Sequence, residues 1–227
     1  MKNKLFTIPA MLSEVCRKFE NKPALLLDTG AKISFKDMLW DISRTCRILR
    51  EQGISKGHKV AVFASENPQS VVSFLAVTRL GAIAVPVTKA FTREQINHIF
   101  MAEKIDAAFI NADKVSDLPE NTDCSILEMD DNRILKSVNR TIAASGYTVT
   151  DADIAAVVYE TDSDGNLSRR EVTHKELATA SKKKTNRKDL KAIKEAFKGM
   201  QLPSLSSIVN YTKQKILPLF YGKSVKL

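Results

Sequence analysis

Four apolar runs, "HKVAVFA" (58–64), "AIAVPV" (82–87), "DAAFIN" (106–111) and "DIAAVVY" (153–159), recur along this chain with almost no polar alternation inside them. A strand wetted on one side alternates apolar and polar residues, so strands without that alternation are covered on both faces. Between the first three runs lie segments with helical spacing. "SENPQSVVSFLAVTRLG" is opened by Asn67-Pro68 and closed by Gly81, and "TREQINHIFMAEK" follows. Buried strands joined by helices predict a parallel sheet with helical crossovers, an α/β class.

The flanks add to this plan. "IPAMLSEVCRKF" spaces Met11, Leu12, Val15 and Phe19 as a helix, and "PALLLD" reads as a short strand. "ISFKDMLWDISRTCRILREQGI" is the clearest helix, with Phe35, Met38, Leu39, Ile42, Cys46 and Leu49 in one stripe. Ser34 is placed to cap its start, Asp37 adds charge to its first turn, and Gly53 stops it. Residues 112–150 are less regular. Residues 157–177, "VVYETDSDGNLSRREVTHKEL", read as a strand, a polar loop with one glycine, then Thr173-His174 at the start of a helix.

Charge divides the chain. The net charge is +9, but from residue 175 onward 13 Lys/Arg stand against 3 Asp/Glu, leaving 22 against 23 in the rest. A neutral body therefore carries a basic tail, and the expected division is 1–177 and 178–227. Within the tail "NRKDLKAIKEAFKGMQLP" sets Leu190, Ile193, Phe197 and Met200 on one face and lysines off it, a basic amphipathic helix. A rougher second helix follows, so the tail is expected to be mainly helical. Its apolar stripes either dock onto the body with the lysines solvated, or lie on an anionic membrane surface through residues 182–227, where Lys182, Lys183 and Lys184 begin a cationic run. Aromatics are too sparse to favour nucleic acid. Cys16, Cys46 and Cys124 lie far apart with no metal spacing, and His58 and His98 lack ligand partners, so no metal site is expected. No apolar run reaches about 18 residues and no signal peptide is evident, so the expected location is cytoplasmic, with peripheral membrane contact through the tail.

The order of elements carries a resemblance. Residues 33–87, with "GISKGHKVAV", the "SEN" after the strand and "FLAVTRLGAIAVPV", closely resemble the N-terminal part of adenylate-forming (AMP-binding) enzymes, which include the acyl-CoA synthetases and long-chain fatty-acid–CoA ligases. The match covers roughly residues 5–177. The resemblance implies a layered, Rossmann-like parallel-sheet N-terminal subdomain, here incomplete and followed by the helical basic tail. It also implies a family that uses ATP and Mg2+ to make an acyl-adenylate, usually passing the acyl group to coenzyme A. Residues 201–227 more faintly resemble a later segment of the long-chain enzymes.

The family's phosphate loop reads Tyr-Thr-Ser-Gly-Thr-Thr-Gly-x-Pro-Lys-Gly-Val-x-x-Thr-His. In the same register this chain keeps Tyr159, Gly165, Thr173 and His174, and has hydroxyls at Thr161 and Ser163. These six are the candidate nucleotide-binding positions the resemblance implies; no catalytic residue is assigned. Asp162 stands for the first glycine, Asp164 for a threonine, Ser168 for the lysine and Arg169 for the last glycine. Such loops work because glycine lets backbone N–H groups approach phosphate oxygens and a lysine neutralises charge. Each aspartate facing a phosphate at about 4 Å costs about 4 kcal/mol at an effective dielectric near 20. Arg169 and Arg170 are the cations that could offset this, although their long side chains begin where the family has glycine and a small apolar residue.

These substitutions, with the family's later motifs not found after His174, lead to the expectation of a truncated, catalytically inactive homologue that uses no cofactor. The alternatives are one piece of a split fatty-acid–CoA ligase completed by another chain, and a lipid-surface or protein-docking module acting through the tail. A sheet that stops early leaves an edge and part of a face uncovered. The tail, a second protein or another copy is expected to cover it.

Overall fold

The computed structural model describes residues 7–27, 29–64, 68–120, 122–141, 148–162, 164–180 and 225–226. The elements run α1 (Ile8–Phe19), β1 (Pro23–Leu26), β2 (Lys32–Ser34), α2 (Phe35–Glu51), β3 (Lys59–Phe63), α3 (Pro68–Arg79), β4 (Ile83–Val87), α4 (Arg93–Glu103) and β5 (Ala107–Ile110). A 3-10 turn (Ala112–Asp117) leads to β6 (Ser125–Glu128), β7 (Ile134–Lys136), β8 (Ile154–Thr161), β9 (Leu167–Thr173), α5 (His174–Ala180) and β10 (Val225–Lys226).

Seven strands form one sheet in the order β7-β6-β5-β3-β4-β8-β9. The inner pairs β6–β5, β5–β3, β3–β4 and β4–β8 are parallel, as the apolar runs predict. The outermost strands, β7 and β9, pair antiparallel. A smaller sheet of order β10-β1-β2 stands apart.

Alternate residues along the strands supply two cores. Val60, Val62, Ala84 and Phe109 face α1, α2 and α3, where Leu12, Phe35, Met38, Ile42 and Leu75 are buried. Ala61, Val85, Val87 and Ala108 face the opposite side, against Ile96, Ile99 and Phe100 of α4. The sheet is thus the middle of three layers. Helix ends follow local chemistry. The Ser34 hydroxyl accepts the Asp37 N–H at 3.1 Å, and α4 begins with a reciprocal box in which Thr92 accepts from the Gln95 amide and Gln95 accepts from the Thr92 amide. Gly53 ends α2 at φ 74°, and a Cβ there would lie 2.5 Å from the Cβ of Arg140. Only glycine fits that position.

The structure departs from the sequence expectation in three places. Residues 167–172, expected inside a polar loop, and Thr173, expected at the start of the helix, form β9 and fold back antiparallel on β8, with Tyr159 opposite Arg169. The irregular stretch holds the fully buried β6 and the exposed β7. In the tail, the expected helices lie mostly outside the described residues; at 225–226 the chain is a strand, pairing parallel to β1 rather than to either edge of the large sheet.

Candidate functional site

The β8–β9 turn sits beyond the carboxyl end of β8, beside the N-terminal turn of α4, at the end of a parallel sheet where α/β folds hold ligands. Gln95 of the α4 capping box reaches across it, its Nε2 donating to the Gly165 carbonyl at 2.9 Å.

Asp162 organises this turn. Its Oδ1 accepts the backbone N–H of Asp164 at 2.9 Å and of Asn166 at 2.8 Å, and its Oδ2 accepts the Asn166 side-chain amide at 3.2 Å. Its own N–H donates to the Asn166 carbonyl at 3.0 Å, and its carbonyl accepts from the Gly165 N–H at 3.2 Å. Gly165 turns the chain at φ 86°. Hydrogen bonds from Asn166 above all, then from Asp164 and Gly165, hold the Asp162 carboxyl below its ordinary range. The amides at 164 and 166 are therefore engaged by an anion from the chain itself.

Beneath the turn, Glu103 at the end of α4 collects three donors. Tyr159 Oη donates to its Oε1 at 2.5 Å and Arg169 Nε to the same oxygen at 2.6 Å. Lys59 Nζ donates to Oε2 at 2.7 Å, joined by Arg169 Nη2 at 3.3 Å. The Glu103 side chain is 1% exposed. Burial pushes its carboxyl up, but the hydrogen bonds from Arg169, Lys59 and Tyr159 prevail and bring it to about 2. Burial, then the bond to Glu103, raises the Tyr159 phenol to about 12. Arg169 also binds Glu171 at 2.9 Å, and Arg170 binds Glu176 at 3.2 Å. Both arginines that could have offset the loop's charge are thus spent on carboxylates.

The six candidate residues do not converge. Gly165 lies in the turn, Thr161 ends β8 opposite Leu167, and Tyr159 points down to Glu103. Ser163 lies outside the described residues. Thr173 and His174 are at the other end of β9, about 23 Å from the turn at about 3.3 Å per strand residue. There Thr173 caps α5, accepting the Glu176 N–H at 3.1 Å while Glu176 accepts the Thr173 N–H at 2.8 Å. His174 is fully buried and its Nδ1 accepts the Ile8 N–H at 3.3 Å, tying α1 to the hairpin. Burial lowers its imidazole to about 4, so it is neutral. Sequence reasoning missed Glu103 and Lys59. Arg169, standing where a glycine was expected, was the one visible signal of a cation turned to another use.

Among the described residues, no group of three or more His, Cys, Asp or Glu is placed to hold a metal ion, and no helix is long and apolar enough to cross a membrane. Cys16, Cys46 and Cys124 are buried, and burial raises each thiol to about 11.

Residues 12–193 match the family model described as AMP-binding enzyme. The chain is 25% identical over 162 residues to the hybrid PKS-NRPS synthetase gkaA of Penicillium citrinum, covering 70% of this chain and 4% of that protein. It is 29% identical over 92 residues to a long-chain-fatty-acid–CoA ligase of Bacillus subtilis, covering 40% and 16%. In fold it is similar to the N-terminal subdomain of Klebsiella oxytoca NpsA in complex with 3-hydroxybenzoyl-AMSN (TM-score 0.73, 17% identity, 98% of this chain and 54% of that one). ATP-bound MatB from Rhodopseudomonas palustris is similar at TM-score 0.67 and 16% identity, covering 97% and 45%. The chain thus spans less than a fifth of those two curated relatives and about half of those solved chains.

Proposed function

This chain belongs to the AMP-binding enzyme family, and from that premise we propose that it is an N-terminal piece of the adenylating fold whose phosphate loop no longer accepts ATP. One observation carries the reading: the Asp162 carboxylate already occupies the 164 and 166 amides. A triphosphate needs such N–H groups free and loses, rather than gains, from a fixed carboxylate beside it. The residues present therefore do not suit a nucleotide's phosphates. No chemical step through ATP, magnesium or coenzyme A is derived for this chain. Its division into a body (1–177) and a basic tail (178–227) is part of the same proposal.

Calorimetric titration with Mg-ATP, together with pyrophosphate exchange over short-chain, long-chain and aromatic acids, tests it. The expected result is no saturable heat and no acid-dependent exchange. Micromolar, Mg-dependent nucleotide binding overturns it.

A second reading draws on the share of the solved relatives that this chain spans, 54% of the NpsA subdomain chain. In it, another polypeptide supplies the rest of the fold. Acid-dependent exchange that copurifies with a second chain, and is absent from this chain alone, would favour that reading.

A further inference from the structure

We propose that Lys59, Tyr159 and Arg169 form an anion socket whose resident is the Glu103 carboxylate, and that the filled socket pins the β8–β9 hairpin to the end of α4. The donors come from β3, β8 and β9, and the carboxylate of Glu103 is their common target. Each Glu103 oxygen accepts two of the four bonds, which saturates the carboxylate. A side chain 1% exposed stays ionised only with such partners. The converse holds for the donors. Lys59 and Arg169 are like charges and would not turn toward one point without an anion between them. Tyr159 and Arg169 face each other across the hairpin, so the socket grips both of its strands at one level.

The socket's chemistry defines what else it would take. With the Glu103 side chain cut back to Ala, the cleft keeps two cations and a phenol around the space left by a methylene and a carboxylate, which a free planar carboxylate such as formate can enter. This inference is independent of the nucleotide reading, because its measurement follows hairpin protection and not ligand turnover.

The test is amide hydrogen exchange on the full chain carrying Glu103→Ala, in sodium formate and in sodium chloride at matched ionic strength. In chloride, the β8 and β9 amides are expected to exchange at least about tenfold faster than in the unsubstituted chain. Formate at about 0.1 M is expected to restore most of that protection through binding to the folded state, while leaving the unsubstituted chain unchanged. A Glu103→Ala chain that folds in formate but not in chloride also supports the socket. Equal exchange in the two salts overturns it. If Glu103→Ala folds in neither salt, Arg169→Gln decides. Faster exchange confined to β9 and the turn supports the pin, and protection at the unsubstituted level overturns it.

Discussion

Asp162 and Asn166 close the β8–β9 turn between them: the carboxylate of the first accepts both the backbone and the side-chain N–H of the second, at 2.8 and 3.2 Å. This arrangement puts a negative charge at the centre of a turn where the family resemblance implies glycine. The turn is consequently closed by its own hydrogen bonds and has its own anion.

Replacing Asp162 by Ala frees the amides of Asp164 and Asn166. Both should exchange faster with solvent, while Asp162→Asn, which keeps one acceptor oxygen, should lose less. Because the carboxyl is held below its ordinary value of 3.8 in the folded chain, its contribution is present above that value and is lost as pH falls through the folded one. Amide exchange and carboxyl titration by NMR check this.

Glu103 gives a second acid limb. Its folded value of about 2 lies below the ordinary 4.5, so the stabilisation is complete above about pH 4.5 and is lost as pH falls toward 2. Glu103→Gln should flatten that limb in urea unfolding followed against pH. At neutral pH it should cost about 2–3 kcal/mol, less than a fully buried broken pair because Lys59 and Arg169 are partly solvated.

His174 acts in a higher window. The unfolded chain takes up its proton near pH 6.5, whereas the buried imidazole resists until about 4. Between those values the unfolded state binds more protons, so stability declines as pH falls, by about 1–3 kcal/mol in all. His174→Gln should remove this slope while lowering stability at pH 7, since the acceptor for the Ile8 N–H is disturbed. Urea midpoints for both chains between pH 4 and 7 measure it.

Two glycines separate backbone strain from steric clash. Gly53 and Gly57 have φ 74° and 85°, but only at Gly53 would a Cβ meet another group, Arg140. Gly57→Ala should cost about 1 kcal/mol from the left-handed conformation alone. Gly53→Ala should cost about 2–4 kcal/mol, because Arg140 and its backbone must also shift. Thermal unfolding of the two variants side by side gives the comparison.

The inner strands were legible because burial on both faces leaves an unbroken apolar run, as in β3 and β4, whose partners need no sequence context to be recognised. β9 was not. Its residues Ser168, Arg169, Arg170 and Glu171 are exposed, and the strand is held by backbone pairing to β8 and by ion pairs, neither of which imposes a hydrophobic period. β7 escaped notice for the same reason, all three residues being exposed. At the loop, Asp162 standing where the family resemblance implies glycine was readable. That Asp162 would turn inward onto the amides of its own turn was not, since this depends on where the hairpin brings residues 164 and 166.

From the sequence alone came what is local: strands and helices from apolar spacing, caps at Ser34 and Gly53, and the aspartates at 162 and 164 of the loop after β8. Only the tertiary structure decided the fate of the charges. Lys59 and Arg169 lie 44 and 66 residues from Glu103 along the chain; Lys59 and Glu103 by themselves read as ordinary surface ions, and Arg169 as a loop cation. An ion's energy depends on its solvent exposure and on the partners within a few ångströms, and the fold sets both after the local pattern has been read.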